Sequence, residues 1–157
     1  MSQKITPFLW YTDQAEEAAK FYTSIFENAK IKAITRYSDA GPGPNGSVMT
    51  ASFEIEGQEF VALNGGPVYK FTPAVSFVIH CDTQEEVDRF WERLSAGGRT
   101  DRCGWLTDKF GLSWQVVPKA LIELLNDPDR AKSKRVMEAM LQMTKIDIPT
   151  LKEAAGA

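Results

Sequence analysis

Phe77-Val78-Ile79-His80-Cys81-Asp82 runs into Thr83-Gln84-Glu85-Glu86-Val87-Asp88-Arg89-Phe90-Trp91, and Phe8-Leu9-Trp10-Tyr11-Thr12-Asp13 runs into Gln14-Ala15-Glu16-Glu17-Ala18-Ala19-Lys20-Phe21-Tyr22. Each opens with β-branched and aromatic residues, then sets an acidic residue three positions before a glutamate, as in a capped helix start. The two stretches keep step at a constant offset of 69 residues, which aligns Phe77 with Phe8, Asp82 with Asp13, Glu85 with Glu16 and Phe90 with Phe21. One strand-to-helix module is therefore used twice.

Working outward from the first copy, Ala15, Ala18, Tyr22 and Ile25 recur at helical spacing with Glu16, Glu17, Lys20 and Thr23 on the other side. Ile31–Tyr37 reads as a half-exposed strand, Ser38–Gly46 as a loop broken by glycine and proline, and Ser47–Glu56 and Gln58–Asn64 as a hairpin about Gly57. In the second copy Val87, Phe90, Trp91 and Leu94 form the apolar stripe, and Gly97-Gly98 ends the helix. Short strands at Arg99–Arg102 and Trp105–Lys109 then precede Leu112–Val117, with Phe110-Gly111 as the turn and Pro118 as the stop. Both copies thus read strand, helix, three strands, and the expected fold is α+β.

The expected organisation is one domain: residues 1–66 as module one, 74–118 as module two and 119–157 as a helical tail. In the tail, Asp127-Pro128 reads as a helix cap, Val136, Met137, Met140, Leu141 and Met143 as the apolar side of the helix that follows, and Asp147 as the start of a last short helix. That methionine stripe suits core or a dimer interface.

Composition narrows the partners. Among 157 residues the formal net charge is −3 and no Lys/Arg run occurs, which argues against nucleic acid. No apolar run spans a membrane and no leader pattern opens the chain, so a cytoplasmic protein is expected. Cys81 and Cys103 are the only cysteines and read as reduced thiols.

The paired modules resemble the vicinal oxygen chelate superfamily of glyoxalases, extradiol dioxygenases and bleomycin-resistance proteins. More closely, Gly104–Pro118 (GWLTDKFGLSWQVVP), Phe60–Pro67 (FVALNGGP) and Met137–Asp147 (MEAMLQMTKID) resemble its PhnB-like branch, whose members often carry the label demethylubiquinone methyltransferase. The resemblance implies paired βαβββ modules in a curved mixed sheet with outer helices, a cavity on the concave side, and a homodimer whose modules pair across subunits. In metal-dependent relatives the first and last strands of each module supply the ligands. Carried over, those positions fall on Pro7, Ser76, Gln115 and either Val61 or Ala62, of which only Gln115 and Ser76 carry a donor, and a weak one for Fe, Mn, Ni or Zn. No bound metal and no cofactor are expected.

The ligand-binding candidates are Tyr11, Asn64, Ser76, His80, Ser113 and Gln115, a neutral polar lining. Tyr11 shares strand parity with Pro7, His80 with Ser76, and Ser113 with Gln115, whereas Trp10 and Trp114 fall with the helix-facing set. His80, the only histidine, reads either as a catalytic or hydrogen-bonding group or as a structural residue at a strand end. Asp108 and Lys109 read as solvated or interface charges. A methyl donor of nucleotide type would need a glycine-rich turn after the first strand, and Thr12-Asp13-Gln14 has none. The expected function is binding of a small molecule in a dimeric cavity, and the alternative is an enzyme acting on a small polar or aromatic substrate.

Overall fold

In a computed structural model that describes residues 3–156, β1 (Phe8–Tyr11), α1 (Ala15–Ile25), β2 (Ala29–Arg36), β3 (Val48–Ile55) and β4 (Gln58–Asn64) form the first βαβββ module. The second is β5 (Ser76–Cys81), α2 (Gln84–Ser95), β6 (Arg99–Thr100), β7 (Trp105–Thr107) and β8 (Ser113–Pro118). Each module builds its own four-stranded sheet, in the orders β1-β4-β3-β2 and β5-β8-β7-β6. In both, the first strand lies parallel to the last and the remaining pairs are antiparallel. The α+β architecture read from the repeat is the one observed. The chain divides into two compact units between Phe71 and Thr72.

The first unit packs Tyr22 of α1 on Phe53, which stacks on Phe60 across the β3–β4 register at 5.4 Å between ring centroids. Gly57 (φ 81°) and Glu56 (φ 49°) turn that hairpin through the left-handed region, as its tight geometry requires. In the second unit Val87, Phe90 and Leu94 of α2 are buried, the stripe expected from their spacing, while Trp91 is only half-buried.

The caps differ from the sequence reading. Asp13 does not cap α1: the residue before the helix is Gln14, which makes no side-chain cap, and the Ala15 N–H donates instead to Asn64 Oδ1 at 2.7 Å. In α2 the cap is Thr83, whose hydroxyl accepts from Glu86 N, while Glu86 reaches back to Asp82 N. The pattern is a capping box displaced by one residue from the expected Asp82–Glu85 pair.

That displacement exposes a slip within the repeat. The helices keep the offset of 69, from Ala15 to Gln84, but the strands end at Tyr11 and Cys81, an offset of 70, because three residues link β1 to α1 and two link β5 to α2. A shift of one residue in a strand exchanges its faces. Leu9 and Tyr11 are accordingly buried and Phe8 is exposed, whereas Val78 and His80, their partners at the offset of 69, are exposed and Cys81 is buried. The parity that grouped Tyr11 with an open face and Trp10 with the helix side is thereby reversed in the first module. Trp114, in the second, is buried as expected.

The tail adds α3 (Lys119–Leu125), α4 (Arg130–Leu141) and α5 (Ile148–Gly156). Helix α3 was not anticipated; Pro118 ends β8 and at once stands as its N-cap. The cap of α4 is Asp129, not Asp127, with Oδ1 accepting from Ala131 N and Lys132 N. Val136 is buried with Leu121, Ile146 and Leu151, and Met140 and Met143 pack against them, while Met137 and Leu141 are exposed, so only part of the expected stripe is core. The tail is fastened to the second unit through Gln84, which accepts from Ile148 N at 2.7 Å and donates to Ile146 O at 3.0 Å. Among the described residues no helix is long and apolar enough to cross a membrane.

Candidate functional site

In the first unit the two candidate residues do structural work. Tyr11 lies on the α1 side of its sheet, 3% exposed, with its hydroxyl 3.1 Å from that of Tyr22 and its ring edge-on to Phe71. Asn64 spends both side-chain atoms, accepting from Ala15 N and donating to Val48 O at 3.1 Å. Its carbonyl also accepts from the Tyr37 hydroxyl at 2.5 Å. Tyr37 is held between Gly41 and Gly43, where a Cβ would come within 2.7 Å and 2.3 Å of the ring. Tyr37, Gly43 and Asn64 help to wall a cavity of about 410 Å³ beside the start of α1. The sequence reading passed over Tyr37. Its signal was the Gly41-Pro42-Gly43-Pro44 run that follows an aromatic residue, since glycine at alternate positions lets a loop lie directly on a ring.

In the second unit β5 and β8 run parallel, with Ser76 opposite Ser113 and Val78 opposite Gln115. Gln115 Nε2 donates to Ser76 Oγ at 2.9 Å, which joins two of the candidates in one hydrogen-bonded pair. His80 alternates with Ser76 along β5, is exposed, and its imidazole has no hydrogen-bond partner among the described residues. Ser113 is 2% exposed.

Asp108 departs from its reading as a surface charge. It is 2% exposed, and its carboxylate accepts from Phe110 N (2.8 Å), Leu112 N (3.1 Å) and Trp114 Nε1 (2.9 Å). It organises the β7–β8 turn, in which Gly111 takes a φ of 95°. Lys109 beside it is exposed.

Cys81 is fully buried, and burial first, then the charge of Glu86, pushes its thiol from the ordinary 9.0 up to about 12. A thiol raised in the folded state favours folding below its ordinary pKa and loses that contribution as pH rises toward the folded value. Stability is therefore expected to fall between pH 9 and about 12 in the parent and to be flatter in Cys81→Ala, measured as urea midpoints across that range. A parent curve no steeper than the variant's would refute the assignment.

The metal that the fold family implies can be tested against the donors present. With the strands offset by 70, the first-module residue that matches Ser76 is Thr6 rather than Pro7. The last strands offer Val61 or Ala62 and Gln115 at these positions. Two hydroxyls and one amide give no carboxylate, imidazole or thiolate, and Gln115 already donates to Ser76. This donor set does not fit a first-row divalent ion. Among the described residues no group of three His, Cys, Asp or Glu side chains could hold one. A nucleotide-type methyl donor fits no better: Thr12-Asp13-Gln14 has no glycine, and Asn64 already occupies a free N–H at the α1 start.

The family model described as 3-demethylubiquinone-9 3-methyltransferase matches residues 3–117. A solved PhnB protein from Bacillus cereus, named for the same methyltransferase activity, is 40% identical, with 74% of this chain and 99% of that chain covered and a TM-score of 0.68. Protein PA1353 from Pseudomonas aeruginosa is 22% identical over 74% of this chain and 98% of its own, at a TM-score of 0.62. The fosfomycin resistance protein FosX from Listeria monocytogenes shares the fold at 18% identity and a TM-score of 0.51, with 75% and 93% of the two chains covered. No curated protein matches the chain.

Proposed function

The chain belongs to the family described as 3-demethylubiquinone-9 3-methyltransferase, the PhnB-like branch of the vicinal oxygen chelate superfamily, and on that premise we propose that it binds a small polar or aromatic molecule without a metal ion. The observation that carries this reading is the Gln115–Ser76 hydrogen bond. It sets a neutral hydroxyl and amide where metal-dependent relatives place ionisable ligands. Such a pair can accept from, and donate to, a phenol or a carbonyl, and it draws no charged partner. The ligand lies in a cavity completed by a second copy of the chain. Phe8 and Val78, exposed at 62% and 42%, support an apolar interface on the strands that end their sheets.

The family's methyltransferase description stands apart from this reading, since the residues that would hold the methyl donor are missing. A second reading, an enzyme without metal, is favoured by the exposed and unpartnered His80 on the same strand as Ser76. There His80 would polarise a carbonyl or take a phenolic proton, and a turnover lost in His80→Gln would establish it.

Elemental analysis of protein grown with Fe, Mn, Ni and Zn is expected to find well below one equivalent of each per chain. Binding of 4-methoxyphenol, followed by calorimetry, is expected to survive dialysis against EDTA. It should weaken three- to tenfold in Gln115→Ala, the loss of one hydrogen bond of about 1 kcal/mol. One bound equivalent of metal, or binding that vanishes with EDTA, would overturn the proposal.

A further inference from the structure

We propose that the ligand of the second sheet is an aromatic hydroxy acid, with Trp105 as the platform for its ring and Arg99 as the partner of its carboxylate. The inference rests on the metal-free reading above and names the class of ligand for the same Gln115–Ser76 pair.

The register of the sheet sets these residues side by side. Residues directly opposite one another on neighbouring strands share a face. One row across the sheet is therefore Val78, Gln115 and Trp105, and the next is Ser76, Ser113, Thr107 and Arg99. The Gln115–Ser76 hydrogen bond joins the two rows, as residues on one face can. Leu106 and Trp114, which alternate with these positions, are buried on the side that α2 covers. Gln115 and Arg99 stand two strands and one pleat repeat apart, about 12 Å between Cα atoms. Trp105 lies between them, on the strand that separates β6 from β8.

What each group has left to offer defines the ligand. Gln115 Nε2 is spent on Ser76 Oγ, which leaves Gln115 Oε1 as an acceptor and the Ser76 O–H as a donor. A ligand hydroxyl can use both. Trp10 has Tyr69 and Trp114 has Phe77 as ring partners, but the half-buried Trp105 indole has neither a ring partner nor a hydrogen bond among the described residues. A flat indole face left open beside a hydroxyl-binding pair suits an aromatic ring. The Arg99 guanidinium is exposed and makes no hydrogen bond or ion pair among the described residues. Two carboxylates of the adjoining segments are turned elsewhere: Asp101 accepts from Arg102 N at 2.8 Å, and Asp108 from Phe110 N, Leu112 N and Trp114 Nε1. A planar guanidinium that neither acid neutralises matches a carboxylate, which it can bind through two parallel hydrogen bonds.

The probes are 4-hydroxyphenylacetate, 4-hydroxyphenylacetamide and tyramine, which share a ring and a hydroxyl and carry negative, zero and positive charge. Each is titrated into the full chain and followed by calorimetry. The acetate is expected to bind at least tenfold more tightly than the acetamide, and tyramine no better than the acetamide. In Arg99→Gln, a substitution at an exposed position of the edge strand, the ratio of acetate to acetamide affinity should fall to about one. Added salt should lower the same ratio in the parent. Trp105→Leu should weaken acetate and acetamide alike, three- to tenfold, and Trp105→Phe, which keeps a ring, should weaken them less. Equal affinity for acetate and acetamide, a ratio that survives in Arg99→Gln, or binding to Trp105→Leu as tight as to the parent would each overturn the proposal. 4-Methoxyphenol that binds the parent and weakens in Gln115→Ala, with no preference for the acetate over the acetamide, would remove this inference and leave the metal-free reading standing. Failure of all four molecules to bind would remove both.

Discussion

Asp108→Ala is expected to lower the stability of the chain by about 4 kcal/mol, read as a fall in the urea midpoint with an unchanged slope. The carboxylate is 2% exposed and holds three donors. Removing it leaves two backbone N–H groups and the Trp114 indole N–H in a space that water does not reach. Each orphaned donor costs about 1–3 kcal/mol, and because one group serves all three the losses do not simply add. Against a typical total of about 5–15 kcal/mol the change is severe. Asp108→Asn separates hydrogen bonding from packing. Its oxygen can still serve Phe110 N and Leu112 N, but its amide would face the Trp114 N–H donor to donor. About half the loss is expected there, together with a change in the near-ultraviolet dichroism of Trp114. An alanine variant within 1 kcal/mol of the parent would show that water replaces the carboxylate and that the turn does not depend on it.

A second large loss is expected from Gly98→Ala, of about 3 kcal/mol or more. An added Cβ would lie 2.1 Å from the Thr107 carbonyl oxygen and 2.7 Å from the Asp108 carbonyl carbon, both backbone atoms that cannot swing aside. Relief requires β6 to move off β7, and their two-residue ladder is the edge of the sheet. Gly46→Ala is the comparison. That residue has a φ of 86° but open space around the added carbon, so it reports backbone strain alone, about 1 kcal/mol. Similar losses in the two variants would argue that conformation, not contact, is what Gly98 supplies. Because Gly98 lies against the backbone of Asp108 itself, the double variant is expected to lose less than the sum of the two.

Much of the fold was legible because it is periodic. The α2 stripe, the Gly57 hairpin and the strand count of each module all rest on local spacing, and spacing is a property of the chain before it folds. Helix α3 was missed because seven residues are too few for a clear period and because Pro118 read as an end rather than as a beginning. The caps were misplaced where Asp82 and Asp127 had rivals one or two residues on, in Thr83 and Asp129, and where Asp13 gave way to Asn64 from a distant strand. An acid in the first turn favours a helix start whether or not it is the cap.

The candidate site was legible only in the second module. Ser76, Gln115 and His80 were grouped by alternation along β5 and β8, and Ser76 and Gln115 do pair. In the first module one extra residue between β1 and α1 turned Tyr11 under the helix and made Asn64 a cap. Neither event leaves a mark on alternation within the strand itself. Asp108 was misjudged for a related reason, since adjacent residues alternate on a strand but not in a turn that folds back over a carboxylate.

The amino-acid sequence by itself determined that a βαβββ module occurs twice, because that follows from residue identity and spacing, whereas the positions matched to the metal ligands of relatives came from the family resemblance, and the structure moved one of them from Pro7 to Thr6. Only the tertiary structure decided which face each strand presents, which side chain caps each helix, and that Tyr37, Asn64 and a Gly/Pro loop enclose a cavity. Those depend on the length of a link and on contacts between residues far apart in the chain, such as Ala15 with Asn64 and Tyr37 with Asn64. A single inserted residue barely alters composition yet exchanges the two faces of a strand.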